Sequence, residues 1–192
     1  GEFDIACALD FDGIGLYDIW VTHDACGLPT KEIWPYFSTD DVAIDNLRKD
    51  LPIEVSSCWN GVAAFDARWF LPQQSPDGQL PLQFRDNSQC AASECFLVSY
   101  DMHLANPPTQ RPRIYINPQV NVAYTPLHFL IHCRLTHLTI SRPWRVIWED
   151  LIAHRWFGWV SDNIWLKPDR CVGQGGIWEG VIRRQGCPGV GV

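Results

Sequence analysis

The order of apolar and polar residues marks a series of short elements. FDIACALDF, Phe3 to Phe11, reads as a buried strand closed by the acidic, Gly-containing turn DFDGIG. LYDIWVTHD has the aromatic and β-branched content of a second strand, and CGLP turns it. STDDVAIDNLRKDLP carries helix punctuation: Ser38 or Thr39 as cap, acids in the first turn, Arg48 and Lys49 at the end, and Pro52 as stop. Ile53 to Phe65 is the next strong strand, yet it holds Trp59-Asn60-Gly61 in its middle, where a Gly weakens a strand and packs nothing. FLPQQSPDGQLP and ANPPTQRP are loops, SECFLVSYDMHLA suits a helix or a strand, with helix preferred, and RIYINP and VNVAY are two brief strands. SRPWRVIWEDLIAHRWFGW places Trp144, Ile147, Trp148, Leu151, Ile152 and Trp156 at helical spacing behind a Ser cap and an early Pro, which predicts an amphipathic helix. From Lys167 the chain is Gly-rich and is expected to be loosely ordered. Strands mixed with helices predict an α/β or α+β fold.

Composition narrows the class. With 192 residues and 46% hydrophobic content, the chain suits one domain, or one domain with a tail, able to bury a single core. The net charge of −7, with no Lys/Arg block, argues against tracking a phosphate backbone, so no nucleic-acid partner is expected. No apolar run is long enough to span a bilayer within the chain, and GEFDIACALDFDG lacks the basic and apolar regions of a signal peptide. Its abrupt start, without an initiator Met, is expected of a processed product or a piece of something longer. The eight Cys form no CxxC pair, which gives no support to a structural zinc site. Cys7 and Cys58, in apolar strands, read as buried thiols, and Cys90 and Cys95 as the most plausible disulfide partners.

Four groups of residues could carry chemistry. Asp10 and Asp12 form an Asp-x-Asp at a strand end, so their carboxylates share a side and could hold Mn²⁺ or Mg²⁺, although acidic turns after strands are also common. Glu94 is either a carboxylate in apolar company, fit for acid/base work or metal ligation, or a helix-start Glu favoured by the helix dipole. His128 and His132 share a face if YTPLHFLIHC is helical, as ligands or as hydrogen-bonded core residues. Trp59, Asn60 and Gly61 offer a stacking face, a donor and acceptor, and bare backbone to a sugar; the competing reading is a β-bulge with Trp59 in the core.

Four blocks carry a resemblance: FDIACALDFDGIGLYDIWVTHDACGLPTKEIWPYF, PIEVSSCWNGVAAFDARWF, LPLQFRDNSQCAASECFLVSYDMHLA and RIYINPQVNVAY. In that order they resemble the fungal α-1,3-mannosyltransferase and capsule-associated protein family, glycosyltransferase family 69, over about Phe3 to His132. The resemblance implies an α/β, GT-A-like mixed sheet with flanking helices, incomplete at its N-terminal side, where the family carries the first part of the nucleotide-binding sheet. It implies a catalytic portion over 1–135, with the amphipathic helix and Gly-rich tail over 136–192. The implied activity is transfer of mannose from GDP-mannose to a glycan acceptor, with retention, using a divalent metal, in the Golgi lumen or secretory pathway.

In that picture Glu94 and Asp18 are the catalytic carboxylates. Trp20, Trp59, Asn60 and Gly61 line the substrate cleft, and Asp10, Asp12 and His132 surround the metal. The family tends to show Arg-Asp after the WV pair, whereas WVTHD here places His23, whose charge is conditional, before Asp24. The alternative is a truncated, non-catalytic carbohydrate-binding or interaction protein that keeps the aromatic surface. Metal-dependent donor binding predicts the first reading, and glycan binding indifferent to EDTA the second.

Overall fold

The computed structural model describes residues 2–13, 15–33, 36–37, 40–71, 81–85, 93–106, 110–135, 138–147 and 156. Its centre is strand β1, Ile5–Asp12, paired in parallel with β6, Ile114–Ala123. The residues are chosen for this place. Ile5, Ile114 and Ile116 are fully buried, and each such side chain contributes about 1.5–3 kcal/mol relative to exposure.

RIYINP and VNVAY are one strand, not two. Ile5↔Ile114 runs to Cys7↔Ile116, then the register jumps so that Leu9 faces Asn121 and Phe11 faces Ala123. The surplus residues, 117–120, bulge out around Pro118, which has no N–H for a ladder. Asn117 Oδ1 accepts from the Gln119 amide at 3.1 Å and Asn121 Nδ2 donates to the Pro118 carbonyl at 3.1 Å, so the bulge satisfies its own polar groups.

Beyond β6 lies β4, Ile53–Ser57, antiparallel to it, and beyond β4 lies β3, His23–Asp24. The far edge of β1 is shared: β5, Ala63–Phe65, pairs antiparallel with Ile5–Cys7, and β2, Gly15–Leu16, with Phe11–Asp12. The result is a mixed α/β fold whose sheet runs β2-β1-β6-β4-β3, with β5 also on β1.

Two expectations are corrected here. Ile53 to Phe65 is not one strand, because β4 and β5 lie on opposite sides of the β1–β6 pair and the chain must cross between them. LYDIWVTHD is strand only at its ends; residues 19–21 form a turn that carries the chain from β2 to β3. Its aromatic content is that of a surface, with Tyr17 and Trp20 exposed.

Helix α1, Asp41–Arg48, is capped by Asp40, not by Ser38 or Thr39: Asp40 Oδ1 accepts from the amides of Val42 and Ala43, each at 3.0 Å. Helix α2, Glu94–Ala105, is the helix the sequence predicts, with Ser93 Oγ accepting from the Phe96 amide at 3.3 Å. It buries Phe96, Leu97, Val98 and Met102 and packs against β4. His103 Nε2 meets the Ser56 carbonyl at 2.9 Å, tying helix to strand. After β6 come a short helix α3, Pro126–Phe129, capped by Thr125, and a wider π turn over Leu130–Arg134. Helix α4, Arg142–Ile147, begins the predicted amphipathic helix, and its Trp144 and Ile147 are exposed. The remainder of that helix apart from Trp156, the Gly-rich tail, and the middles of both predicted loops lie outside the described residues.

Two staples hold the N-terminal strand. Cys7 and Cys58 are not free thiols; they form a disulfide across the Cα–Cα distance of 6.3 Å. Cys95 is a free cysteine, which overturns the expected pairing with Cys90, while Cys26 is disulfide-bonded. The second staple is Asp4, whose buried carboxylate accepts from the Arg113 amide at 2.7 Å, from Trp69 Nε1 at 3.0 Å and from Arg68. Burial pushes its pKa up, but the bonds from Arg113, Arg68 and Trp69 outweigh this and hold it below the usual value.

Candidate functional site

The crossing from β4 to β5 explains Trp59-Asn60-Gly61. After Cys58 the chain leaves the sheet and passes over the end of the parallel pair, at the register where Asp10 faces Val122. A Cβ on Gly61 would stand 3.0 Å from the Asp10 Cβ and 3.3 Å from the Val122 Cβ, and the residue has φ +44°. Both the left-handed backbone and the close approach call for glycine. The crossing lands on β1 through Ala8, whose amide donates to the Val62 carbonyl at 2.9 Å.

Asp10 therefore sits where the two partners on that edge of β1 part, β5 below and β2 above. It is 1% exposed, and neither carboxylate oxygen makes a hydrogen bond among the described residues. The amides of Asp18 and Gly61 draw its pKa down from beyond hydrogen-bonding geometry. Burial, then the nearby Asp18 carboxylate, outweigh them and push Asp10 up to about 6. Burial also raises Asp18. Asp18 is brought in by the turn after β2, anchored where the Tyr17 amide donates to the Asp10 carbonyl at 3.1 Å. Two carboxylates with raised pKa values in one recess are a feature of sites that handle protons or bind cations, although structural networks also produce them.

Asp12 shares the Asp10 side of β1 and is more exposed. Its Oδ1 accepts from the Gly13 amide at 2.9 Å and lies 2.7 Å from His128 Nδ1. His132 does not reach the carboxylates by any bond the structure shows: its Nε2 lies 3.2 Å from the Gly13 carbonyl and its ring stacks on Phe11 at 5.2 Å. Both histidines thus clasp the Asp12-Gly13 turn from α3 and the π turn. Among the described residues no three His, Cys, Asp or Glu side chains are grouped to hold a metal. Asp10, whose oxygens make no hydrogen bond among the described residues, and Asp12 are carboxylates on one side of β1 that could serve a hard cation, and Mg²⁺ commonly takes one or two protein carboxylates and completes its shell with water and substrate phosphates.

The other expected site residues are dispersed around this recess. Asn60 is fully buried; its Oδ1 accepts from Thr22 Oγ1 at 2.6 Å and from the Trp59 amide at 3.2 Å, so it braces the crossing against the loop before β3. Trp59 is partly buried and packs on Phe65 at 5.2 Å and on Phe84 at 5.6 Å. Trp20, by contrast, is 75% exposed. Glu94 is exposed at the first position of α2, which is the helix-start environment and not the apolar one. Its neighbour Cys95 has a thiol pushed up to about 11 by burial, then by Glu94 and Asp18, which places α2's first turn in the field of the same carboxylates. His23, where a fixed cation was considered, is a core residue: Nδ1 lies 3.0 Å from both the Val21 carbonyl and Ser57 Oγ.

Tyr17 and Tyr124 were not singled out from the sequence. Their rings meet at 4.5 Å over the end of β1, and both are about half exposed. The signal in the sequence was slight: a Tyr directly after a strand reads as the strand's last residue.

The family described as Cryptococcal mannosyltransferase 1 matches residues 1–101, just over half of the 192. The chain belongs to the Cryptococcal mannosyltransferase 1 family. No curated protein and no solved structure matches it. The match to the Cryptococcal mannosyltransferase 1 family covers Asp10, Asp12, Asp18, Trp20, the Trp59-Gly61 crossing and Glu94, and a mannosyltransferase-related function follows, with a sugar donor and an acceptor. Tyr124 and His128 reach the same end of β1 from outside the matched segment, and His132 stacks on Phe11.

Proposed function

We propose that this chain carries the reaction centre of a mannosyltransferase that moves mannose from GDP-mannose to a hydroxyl of a glycan acceptor, in α-1,3 linkage. The observation that carries this reading is Asp10: a buried carboxylate whose oxygens make no hydrogen bond among the described residues, in the field of Asp18 at the end of a parallel strand pair. Crevices beyond the C-terminal ends of parallel strands are where open α/β sheets bind ligands, and β1 and β6 both end there. The arrangement of such a crevice supports, by analogy, the GT-A-like expectation.

The chemistry follows from charge. Glycosyl transfer builds positive charge at the donor sugar's anomeric carbon, and the acceptor hydroxyl must lose a proton. Asp10 and Asp18 in their ionised form stabilise that charge, and a carboxylate with a raised pKa, as both have, is the better proton acceptor. The Asp12-Gly13 turn, held by His128, keeps a third carboxylate beside them. Asp10 and Asp12 are the residues that would hold Mn²⁺ or Mg²⁺, which when bound would neutralise the diphosphate leaving group.

The disulfide Cys7–Cys58 supports a Golgi or other secretory compartment, since such bonds persist where the surroundings are oxidising. The test is titration of the protein with GDP and Mn²⁺, with and without EDTA, followed by a transfer assay with GDP-mannose. Metal-dependent binding and transfer support the reading. Absence of both, with glycan binding that ignores EDTA, would leave a carbohydrate-binding protein instead.

A further inference from the structure

We infer that the Tyr17–Tyr124 pair is an aromatic platform for one pyranose ring of the glycan acceptor, set at the mouth of the Asp10 recess; this deepens the mannosyltransferase reading and rests on it. The pair is built from two directions. Tyr17 follows β2 and hangs from β1 through its amide bond to the Asp10 carbonyl at 3.1 Å, and Tyr124 follows β6 and hangs from the Phe11 carbonyl at 3.3 Å. Adjacent carbonyls of one strand thus hold both residues, and the rings close to 4.5 Å with their planes tilted by 55°. Large apolar rings ordinarily avoid water, yet these are 50% and 59% exposed.

What the platform faces selects its occupant. Beside it stand Asp18 and Asp12, both only partly buried, with the Asp12 side chain 39% exposed, and beneath them lies the buried Asp10. Tyr17 precedes Asp18 in the chain and hangs from the Asp10 carbonyl, and Tyr124 hangs from the Phe11 carbonyl, just before Asp12, so the pair stands among these acids. A ligand here needs an apolar face for the rings and hydroxyl donors for carboxylate acceptors, and a pyranose has both. A neutral sugar hydroxyl directed at the half-buried Asp18, which follows Tyr17 in the chain, is also the group from which the reaction must remove a proton.

The experiment measures binding of an α-linked mannotriose in EDTA by saturation-transfer NMR and calorimetry, for the wild type, Tyr17→Ala, Tyr124→Ala and Tyr124→Phe. Near-UV circular dichroism checks that each variant is folded. Each Ala variant is expected to bind about tenfold more weakly or worse, and Tyr124→Phe, which keeps the ring, to stay within about threefold of wild type. GDP binding with Mn²⁺ is expected to be unchanged in all of them. Equal mannotriose affinity in wild type and both Ala variants, or no binding by wild type, would overturn the platform. Tyrosine-dependent binding without any transfer from GDP-mannose would instead remove the enzyme reading and leave a glycan-binding site.

Discussion

Gly61 lies directly over Asp10, so close that a Cβ on the glycine would stand 3.0 Å from the aspartate's own. The contact joins the crossing chain to the buried carboxylate of β1 that makes no hydrogen bond among the described residues, and the properties of the recess follow from it. Water is kept off Asp10 by bare backbone, which allows close cover without a side chain filling the space beside the carboxylate. The sheet, the disulfide at Cys58 and the Thr22–Asn60 bond hold that cover in place.

Asp10 is expected to make the metal-free protein less stable as pH rises. Its folded pKa of about 6 stands above the ordinary 3.8, so the native state prefers the protonated form. That stabilisation is complete below the unfolded value and is lost as pH rises through 6. The loss amounts to about 3 kcal/mol, taking 1.36 kcal/mol per unit. Asp10→Asn should be more stable than wild type at pH 7 in EDTA and should lose the slope between pH 4 and 6, measured by urea unfolding. Identical slopes for the two proteins would contradict the buried, unpartnered carboxylate.

Asp4 carries the opposite sign. Its pKa is held below the ordinary value, so its contribution is present above pH 4 and disappears as acid protonates it. Asp4→Asn removes the charge that Arg68 and the Arg113 amide face, and a loss of about 3 kcal/mol at neutral pH is expected. A variant that unfolds at the same urea concentration as wild type at pH 7 would show that the knot carries little.

Gly15 and Gly61 should respond differently to alanine. At Gly15 a Cβ would come within 2.0 Å of the Glu32 carbonyl oxygen, a backbone atom that cannot step aside, so Gly15→Ala is expected to undo the β2 turn and to express as a poorly folded protein. Gly61→Ala meets side-chain atoms at 3.0–3.3 Å and a left-handed backbone, costing about 1–2 kcal/mol while displacing Asp10. Thermal unfolding should therefore rank wild type above Gly61→Ala, with Gly15→Ala lowest; the reverse order for the two variants would refute the contacts assigned to them.

Reduction of Cys7–Cys58 opens a bridge between residues 51 positions apart. Chain-entropy reasoning sets the expected loss at about 4 kcal/mol. The Cys7→Ala, Cys58→Ala double variant should fall in denaturant midpoint accordingly, and an unchanged midpoint would mean that the crossing is held without the bond.

Activity should separate the carboxylates. Asp18→Asn is expected to lower kcat at least about a hundredfold, the usual scale for a lost proton-handling group. Glu94→Gln, at an exposed helix start, should change it only a few-fold. Comparable losses from both substitutions would return Glu94 to the reaction centre.

Much of the architecture was legible in the sequence because it rests on local rules. β1, α1 and α2 were readable from apolar runs and cap residues, since a strand's burial and a helix's first turn depend on neighbours in the chain; even so, Asp40, not the hydroxyls before it, caps α1. The family was readable from four ordered blocks. Pairing was not legible. Nothing in Ile53 to Phe65 tells which side of β1 its second half takes, and that choice turns Asn60 inward, packs Trp59 among phenylalanines and seals Asp10. Cys7 and Cys58 looked like core thiols because apolar flanks say nothing of what lies opposite. Tyr124 joins Tyr17 only because a parallel pair ends at one level. Composition and spacing set what each segment can form, whereas contact across more than a hundred residues is decided by how the sheet closes, and there the recess acquires its charge, its cover and its aromatic mouth.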